Sequence, residues 1–298
     1  MSAPVSEAAG FPVNESQPFT TYDHVVMEVP GRPVPLTVKV SAPVTGTDLP
    51  ILLLSHGHGE ATFLSSMRGY GPLVDFWTAH GFVVVQPTHL DSVALGLRDG
   101  DHPEAPLFWR TRAQDMHHIL DHFDEIESTV PGLAGRVDRD RIVAAGHSLG
   151  GNTVGLLLGM TAQADDDPGQ RDLSDPRIKA GVIFASPGVG DEYLAPYARD
   201  HYVMNNYIDY STMTGQALVF FGDHDLNWNF SSRLSYRSDA YFRSPGPKDL
   251  ITVFGAEHMF GGISGWDTAE CSDPDPERVS AVRALAWAYL WTKVNPED

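Results

Sequence analysis

The chain has 298 residues, 42% of them apolar and 20% charged, a composition that supports one sizeable core and is too hydrophobic for disorder. A formal charge of -19 repels phosphate backbones and anionic membrane surfaces, which argues against nucleic acid and polybasic lipid docking and leaves neutral or cationic small molecules as partners. Cys271 is the only cysteine, so neither an intramolecular disulfide nor a thiolate metal cluster is available.

The opening stretch "MSAPVSEAAGFPVNESQPF" has no basic leader followed by an apolar core, and no apolar run approaches the thickness of a bilayer. The expectation is a soluble cytoplasmic protein with a mobile tail over residues 1–20 and a single domain over 21–298. Two strands at 24–29 and 36–40 flank "PGRPVP", and Leu36, Val38 and Val40 alternate with polar residues as a half-buried antiparallel edge does. Continuous apolar runs at 51–54, 82–85, 141–145, 181–185, 217–221 and 250–254 read as strands buried on both faces. Between them, residues 64–80, 112–126, 149–163 and 277–294 carry apolar residues at three- and four-residue spacing and read as helices. The last opens with Asp275 as N-cap and Pro276 at the first helical position. The alternation predicts a mostly parallel sheet covered on both faces. The acidic stretch "ADDDPGQRDLSDP" reads as a surface loop, because it lacks the ligand spacing of a calcium loop.

The strand at 141–145 runs directly into Gly-His-Ser-Leu-Gly and then into a helix. This is the setting of a G-x-S-x-G nucleophile elbow, where a sharp turn lifts the Ser148 hydroxyl above the sheet. Gly146 and Gly150 relieve the clash that side chains two positions from the serine would cause. The helix beginning at Leu149 leaves that residue's amide free to donate to an oxyanion. A serine hydroxyl needs a base, and the base an orienting carboxylate. Of the histidines after the serine, His201 lies in a Tyr-rich loop and His224 abuts the candidate acid, so His258 in "FGAEHMFGG" is the base. "FFGDHDLN" offers two carboxylates, Asp223 and Asp225, just after a strand. "SHGHGEA" follows the strand at 51–54, where His58 would supply a second backbone N–H. His118 and His122 share a helix face but lack a third ligand and an HExxH motif, so they read as a surface helix.

"SHGHG", "GHSLGG", "GDHD" and "EH", in that order, make the chain similar to the α/β-hydrolase superfamily from about residue 25 to 290. "GFVVVQPTH" and "DRIVAAGHSLGG" resemble the branch of dienelactone hydrolases, platelet-activating-factor acetylhydrolases and chlorophyllases. The resemblance implies an α/β-hydrolase fold with an eight-stranded, mostly parallel sheet. It also implies carboxylic ester hydrolysis through an acyl-enzyme, with no metal and no cofactor. Members commonly carry the acid three residues after a glycine, which selects Asp225 after Gly222 and leaves Asp223 a turn role. The implied set is Ser148, Asp225 and His258, with the His58 and Leu149 amides as oxyanion donors. Dienelactone hydrolases proper use a cysteine nucleophile, so their substrate does not carry over to Ser148. Net acidity and a Tyr- and Met-rich loop point to neutral esters of short to medium acyl chains. A lactonase or thioesterase would use the same triad, and a non-catalytic binding protein would keep the same fold. Specificity is expected in insertions near 91–112 and 188–215. The second carries Tyr193, Tyr197, Tyr202, Tyr207 and Tyr210 with Met204 and Met213, which either line a pocket or pack an extended loop onto the body.

Overall fold

Along Leu49–Ser55, every residue is apolar or small and every one is buried. Ile51 and Leu53 belong to the core on one face of the sheet and Leu52 and Leu54 to the core on the other, as the two-residue period of a strand requires. That doubly buried strand lies within the sheet of a computed structural model that describes residues 11, 13–163, 169, 171–265 and 268–297. In chain order the elements are β1 (Phe19–Met27), β2 (Leu36–Pro43), β3 (Leu49–Ser55), α1 (Gly71–Ala79), β4 (Val83–Thr88), α2 (Trp109–Asp121) and α3 (Phe123–Thr129). They continue with β5 (Val137–His147), α4 (Leu149–Leu157), β6 (Thr161–Ala162), β7 (Ile178–Phe184) and α5 (Pro196–His201). The rest are β8 (Ile208–Asp209), β9 (Ala217–Gly222), α6 (Asp239–Phe242), β10 (Lys248–Val253) and α7 (Pro276–Val294).

Among the described residues β6 and β8 form a separate antiparallel ribbon, and eight strands form one sheet in the order β1-β2-β4-β3-β5-β7-β9-β10. The β1–β2 and β2–β4 pairs are antiparallel and the remaining pairs parallel. Residues of α2 and α4 join one face's core and residues of α1 and α7 the other's, so both faces are covered. This is the α/β-hydrolase fold. The α7 side is fixed by sequence: Val279, Val282, Ala286, Leu290 and Val294 recur at helical spacing and are buried. The Asp275 side chain accepts from the Glu277 and Arg278 amides to cap its start.

Local structure departs from the expectations in four places. Of the tail expected over 1–20, residues 1–10 and 12 lie outside the described residues. The later part is laid on the body, with Gln17 N–H donating to Ala79 O at 2.8 Å and β1 already begun at Phe19. The helix expected over 64–80 starts only at Gly71, because Tyr70 takes a left-handed conformation at φ 67°, which an α-helix cannot contain. The expected 112–126 helix divides at His122 into α2 and α3, and the expected 149–163 helix stops at Leu157 before the β6 pairing. Among the described residues no helix is long and apolar enough to cross a membrane.

Candidate active site

The C-terminal ends of the parallel strands carry the residues singled out from sequence. β5 ends at His147, α4 begins at Leu149, and Ser148 alone makes the turn at φ 56° and ψ -120°. A non-glycine residue holds such a conformation only where its surroundings impose it. Here Ser148 N–H donates to Phe184 O at 2.8 Å, and Ser148 O accepts from Gly151 N–H at 2.9 Å. The flanking glycines are demanded by contact distance. A Cβ on Gly146 would stand 2.0 Å from Gly150 O, and one on Gly150 would stand 2.1 Å from Ser55 O.

Strand β9 ends at Gly222 and the chain turns through Asp223 and Asp225. The two carboxylates have different partners. Asp223 Oδ1 accepts from Gly255 N–H at 2.6 Å, a loop-closing bond. Asp225, buried at 6% exposure, accepts from His258 Nδ1 at 2.7 Å. Burial works to raise the Asp225 carboxyl, but its interactions with His258 and Arg237, the His258 hydrogen bond among them, outweigh it and hold it down at about 2. Arg237, itself buried, lies 3.6 Å from the same oxygen. With Nδ1–H committed to Asp225, the lone pair of His258 is on Nε2. Among the described residues, neither that nitrogen nor the Ser148 hydroxyl has a hydrogen-bond partner. The structure therefore brings Asp225 and His258 together and leaves the Ser148–His258 bond unmade.

The two amides singled out as oxyanion donors are free. Neither His58 N–H nor Leu149 N–H donates to any acceptor among the described residues. The neighbouring Gly57 N–H is taken by Tyr70 Oη at 2.9 Å.

Sequence reading missed the groups that hold this constellation. Tyr70 Oη lies 3.0 Å from His147 Nδ1, and His147 Nε2 lies 2.9 Å from His258 O. A carbonyl only accepts, so His147 carries its proton on Nε2 and takes the Tyr70 O–H at Nδ1. Tyr70 in turn accepts from Gly57. This directed chain joins the loop of Gly57 and His58 to the loop of His258 through the residue preceding the serine. Burial pushes His147 down to about 3, so the ring stays neutral. A second set holds the loop that follows β3. The fully buried Arg112 guanidinium bonds Asp91, His56 O, Ser55 Oγ and, at 3.1 Å, Thr153 Oγ1 of α4. Asp91 also accepts from His58 Nδ1 at 2.9 Å. The only local signal for either set was His147 inside the elbow motif; the rest pair residues far apart in sequence.

Ser148 opens into a small cavity of ≈ 30 Å³ lined by His58, Leu107, Leu149, Pro187, Tyr202, Asn205 and Phe230. His118 and His122 stack at 4.1 Å on α2 and its C-cap, and no group of three metal-ligating side chains occurs among the described residues.

No protein-family model matches this sequence, and no curated protein matches it. Solved structures do match in shape. The monoclinic form of an esterase from Pyrobaculum calidifontis is 17% identical, with a TM-score of 0.57 over 95% of this chain and 87% of that one. A structure described as the hyperthermophilic esterase from the same archaeon is 17% identical, with a TM-score of 0.56 over 95% and 88%. The likeness is one of fold.

Proposed function

We propose that the chain is a cofactor-free serine hydrolase that cleaves carboxylic esters through an acyl-enzyme. The observation that carries this reading is the 2.7 Å bond from His258 to a buried Asp225, with His258 O bonded by the ring of His147, the residue before a serine held at φ 56°. The fold likeness to an esterase supports it.

In this reading His258 Nε2 takes the Ser148 proton as Oγ attacks the ester carbonyl. Asp225 keeps the imidazole in the tautomer that does so and stabilises the imidazolium. Charge developing on the carbonyl oxygen is met by the His58 and Leu149 amides, which have no other acceptor to leave. His258 then returns the proton to the departing alcohol. Water, activated by the same base, attacks the acyl group and frees the serine. The cavity of ≈ 30 Å³ beside Ser148 favours neutral acyl groups at the short end of the short-to-medium range.

The test is turnover of p-nitrophenyl acetate and butyrate, with mass spectrometry of protein quenched during the reaction. The expected result is an acyl adduct on Ser148. Ser148→Ala is expected to lose roughly a millionfold in kcat and Asp225→Asn roughly ten-thousandfold. Comparable turnover by Ser148→Ala, or a loss confined to Asp223→Asn, would overturn the assignment. A fold retained for binding alone would give neither adduct nor turnover.

A further inference from the structure

Two hydrogen-bond acceptors on residues that line the Ser148 cavity have no partner among the described residues. Asn205, from the segment between α5 and β8, is 1% exposed, lines the cavity, and its Oδ1 is unpaired. Nearly all buried polar atoms in proteins are paired, and leaving one unpaired is costly, so an unpaired one on a residue that lines the same cavity as Ser148 points to a ligand. The second acceptor is the His58 side chain. Its Nδ1 is committed to the fully buried Asp91, which Arg112 also holds. This fixes the proton on Nδ1 and leaves a bare lone pair on Nε2. Nε2 has no partner among the described residues, and His58 lines both this cavity and the outer groove formed with Glu60, Arg98, Asp99 and Asp101.

Leu107, Leu149, Pro187 and Phe230 supply apolar surface to the same wall. A plain alkyl chain would fill that surface but leave both acceptors stranded. A group that donates hydrogen bonds satisfies them. The volume of ≈ 30 Å³ limits this group to very few heavy atoms, which sets it on the carbon next to the scissile carbonyl.

We propose that His58 and Asn205 select esters whose short acyl group carries an O–H or N–H donor beside the carbonyl, such as a 2-hydroxyacyl or 2-aminoacyl group. The inference rests on the ester-hydrolase reading and adds a specificity to it. His58 then serves twice, its backbone N–H facing the oxyanion and its ring facing the acyl substituent. The outer groove's carboxylates are compatible with an ammonium as well as a hydroxyl.

Four ethyl esters separate the possibilities: glycolate, propionate, methoxyacetate and glycinate, each followed by pH-stat and each rate divided by that ester's rate with hydroxide. Propionate matches glycolate in size without the donor, and methoxyacetate keeps the oxygen and its inductive effect without the donor. The expected result is a corrected kcat/KM for glycolate or glycinate roughly 10- to 100-fold above propionate and methoxyacetate. Whichever of the two leads identifies the donor as hydroxyl or ammonium. Asn205→Leu and His58→Leu are expected to bring the glycolate-to-propionate ratio within about threefold of unity, and His58→Gln, which retains an acceptor, to restore part of it. Using a ratio within each variant removes any general loss of activity from the comparison. Equal corrected rates for the four esters in the unaltered protein would overturn the specificity and leave the hydrolase standing. A ratio unchanged in both leucine variants would do the same. Turnover of none of them, nor of p-nitrophenyl acetate, would overturn the hydrolase reading itself.

Discussion

The Tyr70 hydroxyl joins two loops that meet only in space. It accepts from Gly57 N–H at 2.9 Å and donates to His147 Nδ1 at 3.0 Å, and His147 passes the constraint to His258 O. Tyr70→Phe removes both bonds while keeping the buried ring. It leaves an amide and an imidazole nitrogen without partners, at a cost of about 1–3 kcal/mol for each. If the chain positions the reacting groups, ester kcat falls roughly tenfold with KM little changed, because misplacement acts on the transition state more than on ground-state binding. A kcat unchanged at a temperature where the variant is fully folded would show that the chain only supports stability. At this scale the sequence was informative where a candidate group has a local setting. Ser148 stands in a five-residue motif, and His258 and Asp225 each follow a recognisable strand. Tyr70, Arg112 and Asp91 carried no such mark, since a buried hydrogen bond between residues 77 apart, as in Tyr70–His147, leaves no periodicity to read.

Two elements meet at the elbow with almost no space between their backbones. The first turn of α4 lies against the end of β3, and Gly150 has Ser55 O and His56 O as its neighbours. Gly150→Ala would put a Cβ 2.1 Å from Ser55 O, and a backbone oxygen cannot swing aside as a side chain can. The expected outcome is a loss of about 1–3 kcal/mol in stability. Activity falls further than stability, because relieving the clash moves the Leu149 amide away from the His58 amide. Thermal unfolding and kcat measured together check this, and an unchanged melting temperature would refute the packing argument. The central strands were legible as continuous apolar runs because burial on both faces leaves no other solution. Helix lengths were less so. Apolar spacing continues through Leu64 and Met67, yet Tyr70 at φ 67° breaks the helix there. That same residue supplies the hydroxyl that ties down Gly57, so a tertiary contact overrode the local pattern.

Seen across the whole molecule, acid is the condition to which this protein should be most sensitive. His56, His89 and His147 are fully buried, and burial pushes all three below the ordinary value, His56 and His89 well below and His147 to about 3. Each is neutral in a directed network. His56 Nδ1–H donates to Gly57 O and its Nε2 accepts from His89 N–H, while His89 Nδ1–H donates to Asp115 and its Nε2 accepts from Ser55 Oγ. Unfolded, each takes a proton near pH 6.5. Below that value the unfolded chain binds more protons than the folded one, so stability is complete above about pH 6.5 and is lost as pH falls. Each histidine contributes a slope of about 1.4 kcal/mol per pH unit. Asp115, raised by burial to about 6, binds a proton in the folded state between about pH 4 and 6 and offsets one of the three there. The remaining two give about 3 kcal/mol per pH unit, steep against a total stability of about 5–15 kcal/mol. The charge of -19 acts in the opposite direction, because acid relieves self-repulsion. Salt separates the two effects: at 0.5 M sodium chloride exposed charges are screened, while the buried rings are not. Urea midpoints at that salt are expected to fall steadily from pH 7 to 5, and His147→Gln to flatten the fall by about one histidine's share. A midpoint that stays level down to pH 5 would mean that these three rings do not resist protonation, and the neutral relay beneath the elbow would fall with it.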